Sequence, residues 1–144
     1  MVLSFQVTFD CADPDRLARF WAAALGYKLA DPPPGYATWP DFLVKMGVPE
    51  NDWDRASAIV DPDGHGPRIF FQRVPEPKAA KNRVHLDINI TKGMSTPLDE
   101  RVRLVDAAVE RLLSLGATEV RRTENLGSYY VVMLDPEGNE FCAH

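Results

Sequence analysis

The chain has 144 residues, of which 45% are hydrophobic and 26% are charged, and its formal net charge at pH 7 is −5. This composition is typical of a soluble globular domain, and the acidic balance argues against nucleic acid or an anionic membrane as a partner. No apolar run approaches the roughly 20 residues of a membrane span, and the N-terminus lacks a secretion-signal pattern. The two cysteines are too few for a disulfide framework, so we expect a cytoplasmic location.

The first strand is predicted at residues 3–10, where apolar and polar side chains alternate. Its apolar face contains Leu3, Phe5, Val7 and Phe9, and its polar face contains Ser4, Gln6, Thr8 and Asp10. A helix follows. Asp13 is a suitable N-cap, Pro14 fits the first helical position, and Gly26 ends the helix. A short second strand is predicted at residues 27–30.

Residues 31–35 include three consecutive prolines and cannot form regular structure. We interpret them as the start of a flap or inserted loop, in which residues 40–47 form a short helix that buries Phe42, Leu43 and Met46. The aromatic residues of this loop form a lid over a ligand in one interpretation, and anchor the loop in the other. Strands are predicted at residues 56–60 and 68–74.

The polar, proline-containing segment 75–82 is the predicted linker. Residues 83–91 then alternate like the first strand, with an apolar face formed by Val84, Leu86, Ile88 and Ile90 and a polar face formed by His85, Asp87 and Asn89. Thr96 is predicted to cap a second helix that ends at Gly116 and carries an apolar stripe (Val102, Val105, Val109, Leu112 and Leu113). Strands at residues 118–123, 129–134 and 140–143 complete the chain.

The two halves share the order strand, helix, strand, strand, strand. Each helix ends in Leu-Gly, at residues 25–26 and 115–116, and each third strand runs into an Asp-Pro-x-Gly turn. An internal repeat of this kind predicts two copies of one unit that bury shared surface. We therefore predict a single domain over residues 1–144, made of module 1 (1–74), the linker (75–82) and module 2 (83–144).

Three stretches of the chain, together with the repeat, resemble small glyoxalase-like proteins of the vicinal oxygen chelate (VOC) superfamily. They are DCADPDRLARFWAAALGY, FFQRVPEPKAAKNRVHLDI and VMLDPEGNEFC. The superfamily includes glyoxalase I, bleomycin-resistance proteins, extradiol dioxygenases and methylmalonyl-CoA epimerase. The resemblance implies an α+β fold in which two tandem βαβββ modules form a curved, cup-like mixed sheet with helices outside. It also implies modules that pair within or between chains, so a homodimer is a possible assembly.

In metal-dependent members of this superfamily four inward positions hold a divalent ion. The resemblance places Gln6, Gln72, His85 and Cys142 at these positions, where the two usual glutamates are absent. Magnesium, manganese and iron(II) prefer anionic oxygen ligands, whereas zinc accepts histidine and cysteine. Asp10, Asp87 or Glu140 could complete a site. Two alternatives therefore stay open: no cofactor, or a divalent metal such as zinc. The same ligand set disfavours an extradiol dioxygenase.

The resemblance makes His85 and Asp87 the candidate catalytic residues, with His85 as general acid or base oriented by Asp87 or Gln6. The candidate ligand-binding residues are Gln6, Thr8, Asp10, Trp39, Phe70, Gln72, Glu140 and Cys142. One hypothesis is a glyoxalase-like lyase or isomerase that acts on a small metabolite by acid–base chemistry. The alternative is a non-catalytic, ligand-sequestering protein of the bleomycin-resistance type. Both hypotheses predict a small-molecule partner.

Overall fold

The computed structural model describes residues 1–144 and contains eight β-strands and three α-helices. The strands form two separate four-stranded mixed sheets, so the α+β class predicted from the sequence is confirmed. The backbone divides into two compact units, unit 1 (Met1–Pro77) and unit 2 (Lys78–His144). None of the helices has the length and apolar character required to cross a membrane.

Unit 1 contains four strands and two α-helices. In chain order they are β1 (Gln6–Cys11), α1 (Pro14–Leu25), β2 (Lys28–Leu29), α2 (Trp39–Lys45), β3 (Ala56–Val60) and β4 (Arg68–Arg73). The sheet order is β1-β4-β3-β2, in which β1 and β4 are parallel and the other neighbours are antiparallel. The order of the elements therefore follows the predicted module, with α2 inserted in the loop before β3.

Helix α1 covers the apolar face of this sheet, as its sequence predicts. The Asp13 carboxylate accepts a hydrogen bond from the Arg16 backbone N–H at 3.1 Å, and Gly26 ends the helix with a left-handed φ of 74°. The Trp21 ring lies 5.5 Å from that of Phe9, which in turn stacks on Phe71 at 5.4 Å. Because the core occupies this face, the polar residues of β1 and β4 are left on the opposite face.

Unit 2 repeats the arrangement without the inserted helix. It contains β5 (Asp87–Ile88), α3 (Leu98–Ser114), β6 (Thr118–Asn125), β7 (Ser128–Leu134) and β8 (Glu140–Ala143). The sheet order is β5-β8-β7-β6, with β5 parallel to β8. Its core combines the α3 side chains with alternate residues of β7 and β8: Val105, Val109, Leu112, Val131, Met133 and Phe141 are all buried.

Both polar-faced strands are shorter than predicted. Strand β1 starts at Gln6 because its partner β4 starts at Arg68, which leaves Leu3 and Phe5 at 77% and 71% exposure. In unit 2 only Asp87–Ile88 is regular strand, and it pairs with only the last two residues of β8, Cys142 and Ala143. Val84, predicted on an apolar face, is 79% exposed. Within the regular strands alternation predicted the faces correctly, whereas Leu3, Phe5 and Val84 lie outside these strands and are exposed.

The helix predictions also need three corrections. Helix α2 begins at Trp39 and has no buried residue, so the predicted burial of Phe42, Leu43 and Met46 was wrong: the first two are half-buried and Met46 is 58% exposed. Helix α3 begins one residue later than predicted, with Pro97 as N-cap, and the Thr96 hydroxyl accepts the Lys92 N–H instead of capping the helix. Leu113 lies at the edge of the α3 stripe and is 40% exposed.

Candidate functional site

The polar face of unit 1 is formed by β1 and β4. Their parallel register pairs Gln6 with Arg68, Thr8 with Phe70, and Asp10 with Gln72. The structure thus brings together Gln6, Thr8, Asp10, Phe70 and Gln72, all predicted as ligand-binding residues.

Most polar groups on this face already have partners in the sheet. Arg68 Nη1 donates to Gln6 Oε1 at 2.8 Å, and Gln72 Nε2 donates to Asp10 Oδ1 at 2.7 Å. The Arg68 guanidinium carbon also lies 5.3 Å from the centroid of the Phe70 ring, at cation–π distance.

Unit 1 also contains a cavity of about 500 Å³, within the usual size of small-molecule sites. Its apolar wall includes Trp39, Leu43, Trp53 and Phe70, and Arg68 contributes a charge. Each indole is held by the loop that carries it, since Trp39 Nε1 donates to the Ala30 carbonyl at 2.9 Å and Trp53 Nε1 to the Val48 carbonyl at 3.0 Å. The tryptophans therefore anchor the loop and line the cavity at the same time.

The titratable groups predicted for catalysis lie in unit 2. Asp87 pairs with Cys142 across the β5–β8 ladder, and both line a cavity of about 370 Å³ together with His85. His85 Nε2 lies 3.2 Å from Asp87 Oδ1, and His144 Nε2 lies 3.8 Å from Asp87 Oδ2. Asp87 therefore stands between two imidazoles, and about half of its side chain and two fifths of each ring are exposed.

The surroundings of two further groups in this cavity shift their pKa values. Burial, followed by the nearby Asp87 carboxylate, raises the pKa of the Cys142 thiol, so the neutral thiol dominates and a nucleophilic role is disfavoured. The Asn82 backbone N–H, assisted by Lys78, lowers the pKa of Glu140. The Glu140 carboxylate is therefore charged and holds the 78–82 segment.

Two cations on the wall of the same cavity have no carboxylate within ion-pair distance. Lys81 and Arg121 both line the cavity, and neither forms any of the ion pairs of the chain. Their charges are available to an anionic group of a bound molecule.

The donor atoms of unit 2 are chemically suited to a divalent metal. The side-chain ligand atoms of His85, Asp87 and Cys142 all lie within 4.8 Å of one another. A tetrahedral zinc with bonds of roughly 2.0 to 2.3 Å separates its ligands by about 3.4 Å, a spacing within this limit. The other two predicted ligands, Gln6 and Gln72, belong to unit 1, and the Gln6 oxygen already accepts from Arg68. The four-residue metal set stays a prediction, and the unit 2 trio fits zinc better.

The structure adds four residues that the sequence interpretation did not select. The unit 2 cavity is lined by His144, Lys81 and Arg121, and the unit 1 cavity by Arg68. The signal for His144 was the two-residue spacing of Glu140, Cys142 and His144, which continues one face of the predicted strand 140–143 by one residue. Arg68 likewise alternates with Phe70 in β4.

The chain matches known proteins in family and in fold. The family model described as "Glyoxalase-like domain" matches residues 6–144, and no curated protein matches the sequence. The chain is similar in structure to a hypothetical protein from S. aureus, with 18% identity, a TM-score of 0.59, and coverage of 99% of this chain and 96% of that one.

Two other similar structures have printed functional descriptions. One is a glyoxalase/bleomycin resistance protein/dioxygenase family enzyme from Burkholderia phytofirmans PsJN, with 16% identity, a TM-score of 0.61, and coverage of 96% and 94%. The other is a mutant of the fosfomycin resistance protein FosX from Listeria monocytogenes complexed with Mn(II) and 1S,2S-dihydroxypropylphosphonic acid, with 12% identity, a TM-score of 0.61, and coverage of 100% and 90%. At these identities the structures show a common fold.

Proposed function

The chain belongs to the glyoxalase-like domain family, within the VOC superfamily, and from this premise we propose that it is a lyase or isomerase that acts on a small anionic carbonyl compound. The observation that carries the proposal is the His85–Asp87 pair, 3.2 Å apart in a cavity of about 370 Å³. Fold alone does not assign a reaction, and the side chains of this cavity are what favour the proposed chemistry.

In this proposal His85 is the general acid–base and Asp87 is its positioning residue. With Nε2 at 3.2 Å from Asp87 Oδ1, a hydrogen bond from Nε2–H to this carboxylate would leave Nδ1 of the neutral imidazole as the proton acceptor. An imidazole has one nitrogen that can accept a proton and one that can donate, which suits it to take up and return a proton in the same reaction. The exposed fraction of the ring leaves Nδ1 room to reach a bound molecule.

The unpaired cations on the wall favour an anionic, oxygen-rich substrate. Nδ1 of His85 would take a proton from the carbon next to a carbonyl, and the electron pair of that C–H bond would move toward the carbonyl oxygen. Positive charge from Lys81 and Arg121 would stabilise the developing oxyanion. Return of the proton to a neighbouring atom gives isomerisation, whereas departure of a group from the adjacent carbon gives elimination.

A divalent cation bound by His85 would replace the acid–base role of this residue, and FosX binds Mn(II) in one of the similar structures. His85, Asp87 and Cys142 would hold it in this chain. When bound, such an ion polarises a carbonyl oxygen as a Lewis acid. Metal analysis of the purified protein, before and after treatment with a chelator, tests this candidate.

Hydrogen–deuterium exchange at the methyl group of pyruvate, followed by proton NMR in D2O, tests the acid–base role. We expect the wild-type protein to accelerate exchange and H85Q to lower the rate about a hundredfold or more. H65Q is the matched control, because His65 lies in an exposed turn outside this cavity. Equal rates for H85Q and the wild type would remove His85 from the mechanism.

The alternative is a non-catalytic ligand-sequestering protein, which the aromatic-lined cavity of unit 1 favours. Tight binding of small molecules without any exchange or turnover would support this alternative over the enzyme. A homodimer also remains a proposal, which light scattering on the purified protein tests directly.

A further inference from the structure

We propose that the unit 1 cavity is a binding site for a planar aromatic anion, with Trp39, Trp53 and Phe70 contacting the ring and Arg68 binding the negative group. This inference is independent of any chemistry in unit 2. It rests on the charges around the cavity and on the way in which its aromatic side chains are held.

The charged side chains around the unit 1 cavity leave one cation unpaired. Three aspartates and three arginines line this cavity. All three aspartates are ion-paired: Asp15 with Arg19 at 2.9 Å, Asp52 with Arg55 at 3.7 Å, and Asp54 with Arg73 at 2.5 Å. Arg68 is therefore the one lining cation without a carboxylate partner. Its side-chain contacts are the neutral Gln6 amide and the Phe70 ring.

The second observation concerns preorganisation. Both indole N–H groups are bonded to backbone carbonyls of their own loop, so the Trp39 and Trp53 side chains are restrained before a ligand arrives. The Trp39 ring is also packed edge-on against Phe42, at 5.9 Å between centroids. Restrained aromatic walls lose little conformational entropy on binding, and they stack well on flat rings.

The third observation concerns the position of Arg68 relative to the apolar wall. Its guanidinium lies over Phe70, and planar guanidinium groups bind carboxylates through two parallel hydrogen bonds. A carboxylate attached to an aromatic ring would satisfy Arg68 while the ring fills the apolar part of the cavity. A cavity of about 500 Å³ holds a ligand of two fused rings.

Isothermal titration calorimetry with 2-naphthoate and its neutral counterpart 2-naphthamide tests the proposal. We expect the wild-type protein to bind 2-naphthoate about tenfold more tightly than the amide, a modest factor because Arg68 is exposed. R68Q should lose this preference by weakening 2-naphthoate alone, and R68K should keep part of it. W53F should weaken both ligands, because it replaces the indole of the wall by a smaller ring.

The matched control is the double variant D52N/R55Q, which removes a paired carboxylate and cation of the same cavity together and leaves its net charge unchanged. D52N/R55Q should keep the wild-type preference for the anion. Retention of the preference in R68Q, or absence of binding by either ligand to the wild type, would overturn the proposal. H85Q should bind 2-naphthoate like the wild type, so failure of this site and failure of the unit 2 mechanism give different results.

Discussion

The stability of unit 2 should depend on the charge of Glu140, and E140Q is the substitution that tests this. Glu140 Oε2 accepts the Asn82 backbone N–H at 2.9 Å and lies 3.3 Å from Lys78 Nζ. These contacts hold the 78–82 segment against β8, and only 20% of the Glu140 side chain is exposed. Glutamine retains an acceptor oxygen for Asn82 but removes the negative charge.

The expected cost at pH 7 follows from these two contacts. Replacing a charged acceptor by a neutral one weakens the hydrogen bond by about 1 kcal/mol, and loss of the partly exposed ion pair adds roughly 0.5 kcal/mol. The contacts lower the pKa of Glu140 below its ordinary value of 4.5. The charged form therefore stabilises the fold fully above that value, and the contribution is lost as the pH falls through the lowered pKa.

Urea unfolding followed by far-ultraviolet circular dichroism, repeated from pH 7 down to the acid limit of the folded protein, measures this effect. We expect the difference between wild type and E140Q to be about 1.5 kcal/mol at pH 7 and to shrink steadily below pH 4.5. E110Q, on the exposed side of α3, is the control and should behave like the wild type. A difference that is absent at pH 7, or that stays constant with pH, would refute this reasoning.

Two further predictions concern unit 1. Phe71→Ala removes a fully buried ring and should lower the free energy of unfolding, measured in urea, by about 3–5 kcal/mol. Phe5 is 71% exposed, so Phe5→Ala should change this free energy by less than about 0.5 kcal/mol. Equal effects of the two substitutions would contradict the assigned core. Asp13→Ala removes the N-cap of α1 and should cost about 1 kcal/mol, seen as a fall of a few degrees in Tm, while Asp13→Asn should retain most of the stability. A similar loss in both Asp13 variants would show that capping is not the cause.

The sequence by itself determined the order of the elements and the faces of the sheets. Helix α1 was predicted with its cap and its end because Asp13, Pro14 and Gly26 act locally, within one helical turn. The repeat and the Asp-Pro-x-Gly turns led to two modules, and alternation placed His85 and Asp87 on one polar face. These features depend on neighbours in the chain, which a sequence displays directly.

Tertiary structure alone decided where strands end and which polar groups already have partners. Regular β5 is limited to the two residues that pair with Cys142 and Ala143, and α2 has no buried residue, so Met46 is exposed. The Gln6 amide accepts from Arg68, and Glu140 holds the backbone of Asn82, across separations of about 60 residues. Such pairings depend on register between distant segments, and so does the unpaired charge of Arg68. The physical reason is that a hydrogen bond or an ion pair is set by distance in space, which local alternation does not encode.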